Sequence, residues 1–267
     1  MSGLQAVIFD WAGTTVDHGS LAPVKAITEL FCREGILVQD EDARRDMGIY
    51  KKDHIRRILR FPHVETQWSD VHGRIPGEDD VDRLFSEFIP LQLERLPAHS
   101  RVIGGVVETV ERLRSQGLKI GSTTGYTRPM LETLLASAAQ EGYEPDLSFC
   151  PDDVGGGRPY PWMCLRIALE LRIDATSAAV KIGDTVSDIE EALNAGMWAV
   201  GVTGTGNEAA LSAEDLKALP AHERKLLLEK AGDNLERAGA HFVVSSVAAI
   251  EPVLEKIEAR IAAGKRP

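Results

Sequence analysis

The stretch AVIFDWAGTTVDHG, residues 6–19, decides the architecture of the chain. Four apolar residues, Ala6 to Phe9, have the length and composition of a buried strand. The run ends on Asp10 and passes into a Gly/Thr turn built from Gly13, Thr14 and Thr15. A carboxylate at a strand end followed by such a turn suggests phosphate chemistry, because ligands of open parallel sheets collect beyond the carboxyl ends of the strands. Two residues past Asp10 stands Ala12, where a second carboxylate would complete a nucleophile and acid/base pair.

Five more short apolar runs follow: LKIGSTT (118–124), DLSFC (146–150), AVKIGD (179–184), WAVGV (198–202) and HFVVSS (241–246). From about residue 104 they alternate with helical periodicity, as in GVVETVERLRSQG, RPMLETLLASAAQEG, PWMCLRIALELR and SDIEEALNAG. This alternation predicts an α/β fold, a doubly wound parallel sheet with helices on both faces. Between about Leu21 and His99 there is no convincing strand; LAPVKAITELFCREG, KKDHIRRILRF, HVETQWSDVHG and EDDVDRLFSEFIPLQLERL all read as helices. A helical block after the first strand predicts an inserted α-helical cap domain, residues 21–99, over a core of 1–20 and 100–267. Gly, Pro and Ser collect at the boundaries, near His18 to Pro23 and Pro97 to Gly104. The amphipathic stretch from Leu211 to Gly239 predicts a surface helix pair interrupted at Pro220.

The chain has 267 residues, 43% hydrophobic and 27% charged, with 30 Lys plus Arg against 41 Asp plus Glu and a formal charge of −11. Such a charge opposes general attraction to nucleic acid or to an anionic membrane, so any anionic ligand must be held by local groups. No stretch approaches the length of a transmembrane helix and the first residues, MSGLQ, have no basic n-region, so a cytoplasmic address is expected. Cys32, Cys150 and Cys164 are too few and too scattered for a disulfide framework or a zinc site.

The residues that end the apolar runs are the ones that reach a ligand. They are Asp10, Thr123 and Thr124, Arg158 after the Gly155 to Gly157 triplet, and Asp184 with Asp188. Carboxylates offer hard oxygen ligands to a divalent cation, while a guanidinium and a hydroxyl hold phosphoryl oxygens. Each residue alone has a plainer reading as a turn, cap or surface group. Their occurrence in order at successive strand ends favours a joint site.

These segments, VIFDWAGTT, GSTTGY, GRPYPWM and IGDTVSDIEEALNAGMWAVGV, resemble the four motifs of the haloacid dehalogenase superfamily over nearly the whole chain. The Trp11-Ala12 pair, MGIYKKDH (47–54) and GRPYPWMC (157–164) are similar, more narrowly, to its phosphonatase family. The resemblance implies Asp10 as the nucleophile that becomes an aspartyl phosphate. It implies Mg²⁺ held by Asp10, the Ala12 carbonyl and Asp184, with Asp188 either as a further ligand or as support to one. Thr124 is expected to bind the phosphoryl group, Tyr126 to be an active-site aromatic, and Ala12 and Met47 to lie against substrate. Arg158 stands where most of the superfamily has lysine, and its permanent forked charge suits a phosphonate dianion.

In MGIYKKDHIRRIL helical spacing puts Met47, Lys51, His54, Ile55 and Ile58 on one side, with Lys52, Arg56 and Arg60 as a basic stripe beside it. The apolar side selects Lys51 as the amine that faces substrate, where partial desolvation favours its neutral, nucleophilic form. Spacing leaves His54 open between a core role and a functional one; the resemblance implies a proton carrier. The implied reaction is hydrolysis of a carbon–phosphorus bond, that of phosphonoacetaldehyde, through a Schiff base on Lys51. A carbanion is a far worse leaving group than an alkoxide, so an iminium electron sink replaces the acid that Ala12 lacks. The alternative is a phosphate-ester phosphatase or phosphomutase of the same fold, which Ala12 disfavours. The group that activates water for the second step is left open between Lys51, or the product formed on it, and His54. A homodimer through the cap is implied, with Trp68 or Phe88 contributing, and neither nucleic acid nor membrane is expected as a partner.

Overall fold

The computed structural model describes residues 3–267. In chain order its elements are β1 (Ala6–Phe9), α1 (Leu21–Arg33), α2 (Asp40–Arg45), α3 (Lys51–Leu59), α4 (Pro62–His72), α5 (Glu78–His99) and α6 (Val106–Ser115). Then come β2 (Lys119–Thr123), α7 (Arg128–Gln140), β3 (Leu147–Phe149), α8 (Pro151–Val154), α9 (Trp162–Glu170), β4 (Ala179–Gly183), α10 (Val186–Asn194) and β5 (Trp198–Val202). The chain closes with α11 (Ala213–Ala218), α12 (Ala221–Arg237), β6 (Phe242–Val244) and α13 (Glu251–Ala262).

All six strands pair in parallel, in the order β3-β2-β1-β4-β5-β6. β1 lies inside the sheet and its side chains alternate between two apolar layers. Val7 and Phe9 join the core that runs through Leu113, Leu131 and Trp198, while Ala6 and Ile8 pack with Met163, Cys164 and Ile167. Burial on both faces is why the four inner strands, β1, β2, β4 and β5, read as continuous apolar runs. The register sets Phe9 beside Ser122 of β2 and Ile182 of β4, so the next residue, Asp10, emerges between the ends of those two strands.

Helices α1 to α5 follow β1 without an intervening strand and pack on one another, chiefly α1 and α3 on α5. α2 carries no apolar periodicity and its sequence, DEDARR, gave no signal. It is held instead by three carboxylates in its first turn and two arginines in its last, each complementing the helix dipole. α3 begins at Lys51, so Met47 does not belong to the helix that spacing had drawn through it; Gly48, at φ +89°, ends any helical continuation there. The Lys52, Arg56 and Arg60 stripe faces acidic residues at the start of α5, with Lys52 on Asp82 at 2.5 Å and Arg56 on Glu78 at 2.9 Å. Trp68 and Phe88 are both fully buried in the chain's own core, which removes them from any dimer surface. Pro220 stands at the N-cap of α12, between α11 and α12. Among the described residues no helix is long and apolar enough to cross a membrane.

Candidate active site

The carboxyl ends of β1, β2 and β4 meet at one point. Asp10 donates its backbone N–H to Ile182 at 2.8 Å, and Asp184 directly follows β4. The turn after Asp10 folds back because the Trp11 carbonyl accepts the N–H groups of Thr15 (2.8 Å) and Val16 (3.0 Å), while Thr15 Oγ1 donates to the Asp10 carbonyl at 2.9 Å. Gly13 is what lets this turn approach Asp184: its φ is +85°, and a Cβ there would lie 2.1 Å from Asp184 Oδ2.

Oxygens of Asp10, Asp184 and Asp188 lie within 4.8 Å of one another, and all three residues are buried. Burial, and then the charge of Asp188, push Asp10 up to about 6. Asp184 is pushed well above the ordinary carboxylate range by burial, then by Asp10 and Asp188. Burial acts to raise Asp188 too, but Arg158 and Lys181 outweigh it and hold this carboxyl low. A hard divalent cation relieves repulsion of this kind, and the donors present fit one. Asp184 accepts one bond on each oxygen, from Thr14 Oγ1 (3.2 Å) and the Asn207 N–H (2.7 Å), which leaves lone pairs free on both. The acceptor positions of Asp188 are taken: Oδ1 meets Lys181 Nζ at 2.7 Å and Arg158 Nη1 at 3.1 Å, and Oδ2 meets Thr185 Oγ1 at 2.6 Å and the Thr185 N–H at 3.3 Å. Thr185 is the N-cap of α10, and Asp188 completes the capping box.

Arg158 is buried, and all three of its nitrogens donate to protein acceptors. Nη2 donates to Asp10 Oδ1 at 2.7 Å and to the carbonyl and Oγ1 of Thr123 at 2.9 and 2.8 Å. Nε donates to Glu191 at 2.8 Å, and Nη1 reaches the Gly48 carbonyl at 3.2 Å as well as Asp188. The guanidinium expected to hold a phosphonate is thus turned first onto Asp10. Counting Glu191, the centre holds four buried carboxylates against three buried cations, Arg158, Lys181 and, across the cavity, Lys51. The excess of negative charge is the second reason that a divalent cation fits here.

From the other side comes the first turn of α3. Lys51 is 2% exposed; its Nζ lies 3.4 Å from Met47 Sδ and 5.5 Å from the centre of the Tyr126 ring. Burial lowers its pKa to about 8 against the opposing pull of Asp10, with Arg158 adding to the fall. At pH 7 roughly a tenth of such an amine is neutral, against less than a thousandth of an ordinary lysine. His54 is fully buried next to it, with neither ring nitrogen in a hydrogen bond of good geometry. Burial, then Lys51 and Arg57, hold its imidazole well below the ordinary histidine value, hence neutral. The Tyr126 hydroxyl accepts from Gln92 Nε2 at 3.3 Å, and Thr124 Oγ1 accepts the Tyr126 N–H at 3.2 Å.

Asp10, Ala12, Met47, Lys51, Thr124, Tyr126 and Arg158 line one small cavity of about 20 Å³, room for little more than a water molecule. Asp184, Asp188 and His54 are not part of this lining. The sequence reading missed Lys181 and Glu191. Two signals were available: a lysine inside the otherwise apolar AVKIG strand, and a glutamate three residues beyond Asp188 on the same face of α10.

The profile of the haloacid dehalogenase-like hydrolases matches residues 4–196. The chain is 44% identical over 264 residues to phosphonoacetaldehyde hydrolase of Nitratidesulfovibrio vulgaris, covering 99% of this chain and 94% of that one. It is 46% identical over 255 residues to the bifunctional phosphonoacetaldehyde hydrolase/aminoethylphosphonate transaminase of Clostridioides difficile, where the match covers 96% of this chain but 40% of the longer protein. The crystal structure of a phosphonoacetaldehyde hydrolase-like protein from Oleispira antarctica superposes with a TM-score of 0.98 at 42% identity, covering 100% of this chain and 96% of that one.

Proposed function

The chain belongs to the haloacid dehalogenase-like hydrolases, and we propose that it hydrolyses the carbon–phosphorus bond of phosphonoacetaldehyde to acetaldehyde and inorganic phosphate. The observation that carries this reading is the juxtaposition of a buried amine with a depressed pKa, Lys51, and a strand-end carboxylate, Asp10, on one cavity whose remaining wall offers Ala12 instead of an acid.

In the proposed reaction Lys51 adds to the aldehyde and water leaves, giving a protonated imine. Neutral His54, one turn along α3, carries the proton in this step. Asp10 then attacks phosphorus while the carbon–phosphorus pair flows into the iminium, giving an enamine on Lys51 and an aspartyl phosphate on Asp10. Protonation and hydrolysis of the first release acetaldehyde and free Lys51, and water cleaves the second to phosphate. Arg158 holds Asp10 in line and, with Thr124, offsets charge on the phosphoryl oxygens. Asp10, Asp184 and the Ala12 carbonyl would hold Mg²⁺, with Asp188 supporting through Lys181 and Arg158; the ion supplies further charge neutralisation at phosphorus. The cavity is much too small for the substrate, so residues 21–99, the proposed cap, must open to admit it and close again to exclude water. A phosphate-ester phosphatase or phosphomutase lacks any use for the buried amine and needs the acid that Ala12 does not supply.

The test is release of both phosphate and acetaldehyde from phosphonoacetaldehyde. EDTA is expected to abolish it and Mg²⁺ to restore it. Phosphate monoesters turned over as fast as the phosphonate would overturn the assignment. Because the neutral amine is the reactive form, kcat/KM is expected to rise with pH up to about 8 and level off above it. A flat profile between pH 6 and 9 would count against Lys51. We also propose a homodimer through the cap, on the exposed Leu37, Val71 and Ile75, read out as a doubled mass by light scattering.

A further inference from the structure

Glu191 and Lys181 are fully buried beneath the site, where ions persist only when paired; the proposed reaction uses Lys181 only through Asp188 and gives Glu191 no task. We infer that Glu191, with Lys181, is a positioning residue that fixes the plane of Arg158 against Asp10. Glu191 Oε2 accepts both Arg158 Nε (2.8 Å) and Thr123 Oγ1 (3.0 Å), and Thr123 Oγ1 in turn accepts Arg158 Nη2 (2.8 Å). The Nε/Nη2 edge of a rigid planar group is thereby held at two points, which leaves one orientation, the one that puts Nη2 on Asp10 Oδ1 at 2.7 Å.

Lys181 completes the arrangement. Its Nζ stands between the two carboxylates that compete with Asp10 for Arg158, 2.7 Å from Asp188 Oδ1 and 3.8 Å from Glu191 Oε2. By sharing their charge it limits their hold on the guanidinium. The carboxylate is needed as well as its shape: a neutral amide of the same size can accept one of these bonds but holds a guanidinium far less firmly.

This inference rests on the proposed role of Asp10, and the experiment separates the two. Glu191→Gln is expected to lower kcat for phosphonoacetaldehyde by about 100-fold with KM changed no more than about threefold, a loss confined to the transition state. Arg158 and Lys181 keep Asp10 and Asp188 as partners in this variant, so the fold should be retained, checked by its melting temperature. Lys181→Met is expected to lower kcat likewise, and Lys181→Arg to recover most of it. Independently of activity, the ¹⁵N spectrum should contain an exchange-protected, downfield arginine Nε–H resonance, absent from Arg158→Lys and moved upfield in Glu191→Gln. Wild-type kcat in both Glu191→Gln and Lys181→Met, or no protected resonance, would overturn the inference. A wild-type enzyme inert toward phosphonoacetaldehyde would overturn the proposed function instead and leave the spectral reading of Arg158 standing.

Discussion

Lys51→Arg is expected to cut phosphonoacetaldehyde turnover by at least about 10⁴-fold, the scale seen when a member of a covalent catalytic unit is removed. The substitution keeps a long cationic side chain at the start of α3, so a role in charge or packing alone would survive it. What it removes is the amine lone pair, because a guanidinium stays protonated and does not condense with an aldehyde. Without the imine, the electron pair from the broken carbon–phosphorus bond has no acceptor. Borohydride added with substrate should give wild-type enzyme a covalent adduct on Lys51, and Lys51→Arg none. Lys52→Arg serves as the control, since Lys52 is part-exposed and paired with Asp82 at 2.5 Å. Substantial turnover by Lys51→Arg would end the Schiff-base proposal.

Asp10→Asn should be comparably inactive, by about 10⁴-fold or more, but for the other half of the reaction. Imine formation uses Lys51, His54 and the aldehyde but not Asp10, so borohydride should still trap the substrate on Lys51 while no phosphate is released. The neutral amide also relieves repulsion from Asp188, which with burial raises the carboxyl of Asp10 to about 6, and removes a charge that raises Asp184. The folded protein is therefore expected to be no less stable than wild type, measured by its melting temperature without added metal. Loss of trapping together with loss of phosphate release would mean that the two halves are not separable in this way.

Comparison of individual residues separates what is local from what is not. The six strands were legible because each is a short apolar run, buried on both faces in the inner four and partly buried at the edges β3 and β6, a property of three to five neighbouring residues. The choice of Lys51 over Lys52 came from helical spacing and agrees with their burial. The same spacing failed for Met47, because one glycine with positive φ displaces the helix start by a turn, yet Met47 Sδ still reaches Lys51 Nζ. For Trp68 and Phe88 the sequence is silent on burial, since an aromatic on a helix gives no sign of whether its apolar face meets the chain itself or a second copy; both are buried in the chain's own core.

The sequence by itself determined the order of the strands and of most helices, the residues that stand at the strand ends and the absence of an acid at position 12. All of these are written in short-range pattern and residue type. Only the tertiary structure decided how the charges are shared. Arg158 lies 148 residues from Asp10 and 33 from Glu191, yet it bonds both, and Lys181 gains its meaning only from the carboxylates that α10 lays against it. In a dry interior an ion's partners determine its ionisation, its orientation and its cost, and those partners are set by strand register and helix packing rather than by neighbours along the chain.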